Sequence, residues 1–303
     1  MKIEHLNRDF GIKGHLKINK GNGHLPFIFI NNKRASAIIC LHGAQILSYK
    51  PHREAEDLLF VSQNSWYEEG RAIRGGIPLC WPWFGPDPLN LKRPDHGFVR
   101  NGLWRIVSTE ASSDSVTKIV FQYENTEKSL KYWSQAFVLE LEVIITDTLT
   151  LNLTTRNIGD QPFTITQAIH TYFNIGHIND VEIIGLDKST YLNKADISGE
   201  HQQNGTLAFD VDAEVNRIYK NVEECLTIKD SAFNRRIFIT SNHNKTVVVW
   251  NPGANLPPNI TDLECTDYQR FVCIESGNVS SNTIEILPNC EFSLNANYKI
   301  GKI

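Results

Sequence analysis

Residues Phe137–Asn157, FVLELEVIITDTLTLNLTTRN, decide the fold. Apolar side chains alternate with polar ones along the run, and β-branched residues abound. A period of two sends successive side chains to opposite faces, so the run predicts paired antiparallel strands with one buried and one wet face. The same texture recurs on either side. Upstream it marks Pro26–Ile30, Ala35–Leu41, Gln45–Tyr49, Asp57–Ser62, Trp104–Thr109 and Val116–Tyr123. Downstream it marks Phe163–Ile169, Val181–Leu186, Leu226–Lys229, Arg236–Ser241, Thr246–Trp250, Phe271–Glu275 and Glu291–Tyr298. Gly, Pro and Asn turns separate these runs, and no helical apolar pattern lasts beyond about three turns. Many short strands of this kind predict an all-β sandwich. No linker, repeat or low-complexity tract interrupts the 303 residues, so a single domain over 1–303 is expected.

Bulk composition narrows the function. A net charge of −4 speaks against nucleic acid and anionic membranes, both of which call for basic excess. The six cysteines are scattered, with no CxxC pair, which fits buried free thiols in a reducing compartment better than a zinc site or a disulfide framework. The opening MKIEHLNRDFGIKGH lacks the apolar centre of a signal peptide. No apolar run approaches the roughly 20 residues that cross a bilayer. A cytoplasmic protein is expected.

One stretch breaks the strand texture. Ala72–Trp104, AIRGGIPLCWPWFGPDPLNLKRPDHGFVRNGLW, crowds three tryptophans among prolines and glycines, so it reads as a long shaped loop packed on a scaffold. Arg74, His96 and Arg100 are embedded in it. Arginine is poorly tolerated in such surroundings unless something anionic answers it. Either arginine alone reads as half of an internal salt bridge. Two arginines and a histidine on one aromatic loop point to a pocket for an oxygen-rich, anionic small molecule.

Two further places carry polar residues that a fold alone does not request. In Gln167-Ala-Ile-His170-Thr-Tyr172-Phe-Asn174 a histidine ends a β-rich run. In Phe271-Val-Cys-Ile-Glu275-Ser-Gly277 a carboxylate ends a buried one. Singly, His170 reads as a satisfied core histidine, and Glu275 reads equally as half of a structural ion pair or as a perturbed carboxylate. Together they form a proton-transfer pair, because glutamate takes a proton and histidine gives one near neutral pH. Trp250-Asn-Pro-Gly253 is a strand running into a turn and says little by itself. No serine elbow, phosphate-binding glycine loop or clustered metal ligands compete.

Six segments in order, Ala72-Ile-Arg74-Gly-Gly-Ile-Pro78, Trp81-Pro-Trp-Phe-Gly-Pro86, His96-Gly-Phe-Val-Arg100, His170-Thr-Tyr-Phe, Trp250-Asn-Pro-Gly253 and Phe271-Val-Cys-Ile-Glu275, resemble the motifs of the glucose-6-phosphate 1-epimerases. These hexose-6-phosphate mutarotases are a branch of the galactose-mutarotase-like superfamily. The resemblance implies a large twisted antiparallel β-sandwich and anomerisation of a hexose 6-phosphate without cofactor or metal. By position it implies His170 as general acid and Glu275 as general base at two strand tips, beneath a tryptophan-lined rim. Arg74, His96 and Arg100 would line the sugar-phosphate pocket of a monomer. The stretch Glu214-Val-Asn216-Arg-Ile-Tyr219 departs from the family, which usually has an aspartate where this chain has Asn216. Asparagine still hydrogen-bonds hydroxyls but carries no charge. The competing expectations are a non-catalytic sugar-phosphate sensor, an aldose 1-epimerase for free sugars, and a glycosidase that recruits Glu264 or Asp267 as a second carboxylate.

Overall fold

The computed structural model describes residues 2–194, 199–222, 225–255 and 260–303. Phe137–Ile145 and Thr148–Asn157 pair antiparallel, from Phe137 opposite Asn157 to Ile145 opposite Leu149. Phe137, Leu139, Leu141, Val143 and Ile145 all point inward, as the period of two requires. Among the described residues the pair belongs to a nine-stranded antiparallel sheet. Its order is Leu207–Ala208, Val181–Ile184, Cys225–Asp230, Arg235–Asn242, Glu291–Lys302, Thr148–Asn157, Phe137–Ile145, Val116–Glu124 and Arg105–Ser113.

A seven-stranded sheet faces it, in the order Glu200–Gln202, Thr190–Asn193, Val215–Lys220, Thr246–Asn251, Phe271–Asn278, Gln167–Asn174 and Leu79–Cys80. The two sheets meet where Thr171 Oγ1 lies 2.7 Å from Tyr298 Oη and the Phe173 and Tyr298 rings cross at 88°. A four-stranded meander runs from Leu16–Lys20 to Gln45–Pro51. Its Tyr49 hydroxyl donates to the Thr146 carbonyl of the large sheet. One apolar cluster extends from Leu6 to Ile300 through all of these sheets, which is the expected antiparallel β-sandwich. Each fully buried aliphatic or aromatic side chain in it contributes about 1.5–3 kcal/mol.

Several elements differ from expectation. Asp57–Ser62 forms no strand, only isolated bridges at Leu59 and Val61. The Asp57 carboxylate accepts from the Leu59 and Tyr49 amides, so a side chain satisfies donors that a ladder would otherwise take. The strands that carry His170 and Glu275 run on to Asn174 and Asn278 and are buried almost throughout. Ser276-Gly277-Asn278, which reads as a turn, is strand: a Cβ at Gly277 would stand 2.7 Å from the Gln167 carbonyl oxygen, so the residue serves close strand approach. Leu16–Lys20, Thr190–Asn193 and Val215–Lys220 are strands that the alternation did not reveal. Two short helices, Ile3–Phe10 and Glu127–Tyr132, were also not foreseen; the second is capped by Thr126. Three cysteines, Cys40, Cys80 and Cys273, are buried, and Cys225, Cys265 and Cys290 are exposed, all as free thiols.

Candidate active site

Strand register builds the floor of the site. His170 is the direct antiparallel partner of Glu275, which is in turn opposite Val248. One step along, Tyr172, Cys273, Trp250 and Asn216 stand in a row across four strands. Cross-strand partners share a face, so these residues cover the side of the seven-stranded sheet that turns away from Tyr298 and the core. The expected two strand tips are therefore two strand interiors, held side by side by backbone hydrogen bonds.

The loop of residues 72–104 forms the roof. Buried Gln45 donates to the carbonyls of Ile73 and Gly75 and pins its start. All three loop tryptophans turn into the body of the protein. Trp81 Nε1 donates to Thr155, Trp83 Nε1 to the Pro94 carbonyl and Trp104 Nε1 to the Val99 carbonyl. The rim is thus not lined by these tryptophans; the aromatic wall is Phe84, Tyr172 and Trp250. The loop doubles back through His96 N–H to Gly85 and Phe98 N–H to Trp81, and His96 adopts a positive φ of 62°.

Between floor and roof lies a cavity of about 340 Å³. Arg74, His96, Arg100, His170, Asn216 and Glu275, all six expected site residues, line it. His170 Nε2 lies 3.4 Å from Glu275 Oε1, with only 7% and 3% of the two side chains exposed. The imidazole stacks on Tyr172 at 4.9 Å. His170 Nδ1 and Glu275 Oε2 are buried with no protein partner, as are the Nε atoms of Arg74 and Arg100. Such groups are costly in a finished core and ordinary in a site that awaits a polar ligand.

The arginines divide. Arg74 donates to Tyr172 Oη at 3.0 Å and pairs with Asp262 at 3.0 Å. Among the described residues Arg100 has no carboxylate partner and donates to the Asp95 carbonyl. The salt-bridge reading therefore holds for Arg74 and fails for Arg100. His96 Nδ1 accepts from the Gly85 amide, which leaves the ring proton on Nε2. Burial, with Arg100 and Arg74 close by, pushes His96 down to about 3, so it serves the cavity as a neutral ring.

Burial also dominates the His170–Glu275 pair. It holds His170 well below the usual histidine range, with His96, Arg100 and Arg74 acting in the same direction. It holds Glu275 well above the usual carboxyl range, against the opposite pull of Arg100. Both shifts favour the neutral forms, a carboxylic acid beside a neutral imidazole, over the imidazolium and carboxylate that the residue types suggest in water.

The glycosidase expectation fails on position. Asp267 is committed to Ser62, Arg270 and the Glu264 amide, and neither Glu264 nor Asp267 lines the cavity. Asp95, Asp262, Lys194, Glu214 and Trp250 belong to the site or its support and carried no assigned role in the sequence reading. Trp250 and Glu214 stood in quoted motifs; Asp262 and Lys194 lie in polar stretches with no local signal. Among the described residues no three His, Cys, Asp or Glu side chains gather as a metal-ligand set. Nor is any described helix long and apolar enough to cross a membrane.

The aldose 1-epimerase family model matches residues 27–299, nearly the whole sandwich and every residue of the cavity. The chain belongs to the aldose 1-epimerase family. It is 34% identical over 256 residues to an Escherichia coli (strain K12) protein named "Putative glucose-6-phosphate 1-epimerase", covering 84% of each chain. It is 30% identical over 253 residues to a protein of the same name from Cenchrus ciliaris, covering 80% of this chain and 75% of that one. The crystal structure of a "putative mutarotase" from Salmonella typhimurium superposes with a TM-score of 0.89 at 30% identity, over 97% of this chain and 96% of that one. As an aldose 1-epimerase family member the chain is an isomerase of the epimerase type.

Proposed function

We propose that this chain is a hexose-6-phosphate mutarotase that interconverts the α and β anomers of glucose 6-phosphate. The observation that carries it is the buried His170–Glu275 pair at 3.4 Å, facing a cavity that also holds Arg74 and Arg100. Anomerisation removes a proton from the C1 hydroxyl and delivers one to the ring oxygen. Both oxygens are bonded to the same carbon, so two adjacent side chains on one sheet face can address both. Moving the shared proton from the Glu275 acid to His170 creates a carboxylate and an imidazolium. Glu275 then takes the proton of the C1 hydroxyl as His170 gives its own to the ring oxygen, the C1–O5 bond breaks, and the aldehyde forms. Rotation about C1–C2 and closure on the other carbonyl face return both protons and invert C1. A phosphate dianion on Arg74 and Arg100 offsets two of the charges that hold the imidazole down, so the proper substrate favours the active protonation state. His96 and Asn216 supply hydrogen bonds to sugar oxygens.

Relatives named for glucose 6-phosphate support the phosphate preference, as does Arg100, a cation without a carboxylate partner among the described residues. A cytoplasmic monomer is part of the same proposal. The test is polarimetry, or a coupled assay, on freshly dissolved α-glucose 6-phosphate and α-glucose. Glu275→Gln and His170→Ala lose roughly 10²–10⁴ in rate while remaining folded. Arg74→Ala narrows the preference for phosphorylated over free sugar by about one to two decades, the worth of charge-assisted hydrogen bonds at about 1.5–3 kcal/mol. Equal kcat/KM on the two sugars in the unmodified protein would convert the reading to a free-sugar epimerase. Tight binding of glucose 6-phosphate without rate enhancement would convert it to a sensor.

A further inference from the structure

Glu214 sits just before the strand Val215–Lys220, exposed and outside the cavity lining. One of its oxygens, Oε1, accepts two donors at once: Asn216 Nδ2 at 3.1 Å and Trp250 Nε1 at 3.2 Å. Those two donors belong to direct cross-strand partners, and both side chains line the cavity. The Trp250 ring also meets Tyr172 edge-on, and Tyr172 stacks on His170.

The chemistry of these contacts fixes an orientation. A carboxylate only accepts, whereas an asparagine side chain has one end that donates and one that accepts. Glu214 therefore draws the amide NH2 of Asn216 to itself and leaves the carbonyl oxygen Oδ1 for the cavity. The indole is held by the same atom, so polar and aromatic parts of one wall are locked together.

We propose that Glu214 is a positioning residue that presents the Asn216 carbonyl oxygen and the Trp250 ring to the sugar. The site thereby accepts a hydrogen bond from a sugar hydroxyl without a formal negative charge at position 216. The proposal rests on the mutarotase reading for the identity of the ligand. Its reach goes further: Asn216 and Glu214 are a matched pair, and an aspartate at position 216 is better tolerated when Glu214 is changed with it. An aspartate at position 216 would face the Glu214 carboxylate at hydrogen-bond distance, and two like charges there oppose one another. A glutamine at position 214 relieves this, since its NH2 donates to the introduced carboxylate while its carbonyl oxygen still accepts from Trp250 Nε1.

The experiment measures kcat and KM on α-glucose 6-phosphate, with affinity by calorimetry, for Glu214→Ala, Glu214→Gln, Asn216→Asp and the double variant Asn216→Asp/Glu214→Gln. Glu214→Ala is expected to raise KM about fivefold to tenfold with kcat within about twofold, the loss of one oriented hydrogen bond. Glu214→Gln, whose carbonyl oxygen still accepts, keeps KM near that of the unmodified protein. Asn216→Asp raises KM by about tenfold or more, and the double variant recovers most of that loss. A KM untouched by Glu214→Ala overturns the proposal, as does a double variant no better than Asn216→Asp. An unmodified chain that binds glucose 6-phosphate without turning it over overturns the mutarotase reading instead. The same four affinities still decide whether Glu214 positions the wall.

Discussion

Glu275 is a carboxyl group in a place that favours its neutral form, and the consequences are measurable. Its folded pKa lies above its unfolded one, so the folded chain holds the proton more tightly. Stability is therefore fully present below the ordinary carboxyl pKa and is lost as pH rises towards the folded value. Glu275→Gln does not titrate and escapes that loss. It is expected to raise the thermal midpoint at pH 7 by about 2 °C or more, with the gain fading near pH 4, while activity falls. Thermal denaturation of both proteins across that range checks the sign. On the proposed mechanism the same pair sets the pH profile, and its limbs belong to the pair jointly. Activity requires one shared proton. The acid limb, where neutral His170 gains a second, is expected below the usual histidine range; the alkaline limb, where Glu275 loses the only one, well above the usual carboxyl range. Phosphate monoesters ionise near pH 6. The acid limb should therefore be read with free glucose, and an acid limb above the ordinary histidine pKa of about 6.5 would contradict the arrangement.

At the scale of elements, the loop of residues 72–104 works as a rigid roof. Gly97 has a positive φ of 76°, and a Cβ there would stand 1.8 Å from the Trp81 carbonyl oxygen. That oxygen is the acceptor for the Phe98 amide that folds the loop onto itself. Gly97→Ala is expected to cost about 3 kcal/mol or more and to displace His96 and Arg100, read by urea denaturation and by loss of kcat/KM. Elements of this kind also mark what could be read in advance. Phe137–Asn157 was legible because one face is wet, so burial writes itself as alternation. The strands of His170 and Glu275 are buried on both faces, and their ends merged with turn-like residues. Asp57 defeated a strand by a side-chain bond that no local pattern displays. The site residues came from composition and motif, but the 3.4 Å approach of His170 to Glu275 depends on register between segments about a hundred residues apart. Asp262 and Lys194 owe their place to tertiary folding alone.

Across the whole molecule a single apolar cluster joins the N-terminal meander, both large sheets and the roof, with Trp81 fully buried among Phe98, Trp133 and Phe137. One cooperative unfolding transition is therefore expected in calorimetry, with calorimetric and van't Hoff enthalpies equal. Two resolved transitions would show that the meander folds as a separate unit.

The pairing of His170 with Glu275 by the backbone ladder, while Arg74, His96 and Arg100 ride on the roof, separates two inheritances. The approach of the two groups is written into the weave of the sheet, where slipping either strand by a single residue would turn His170 or Glu275 into the core. Arg74, His96 and Arg100 are carried instead by irregular backbone, where a side chain's charge can change without altering the register of the ladder.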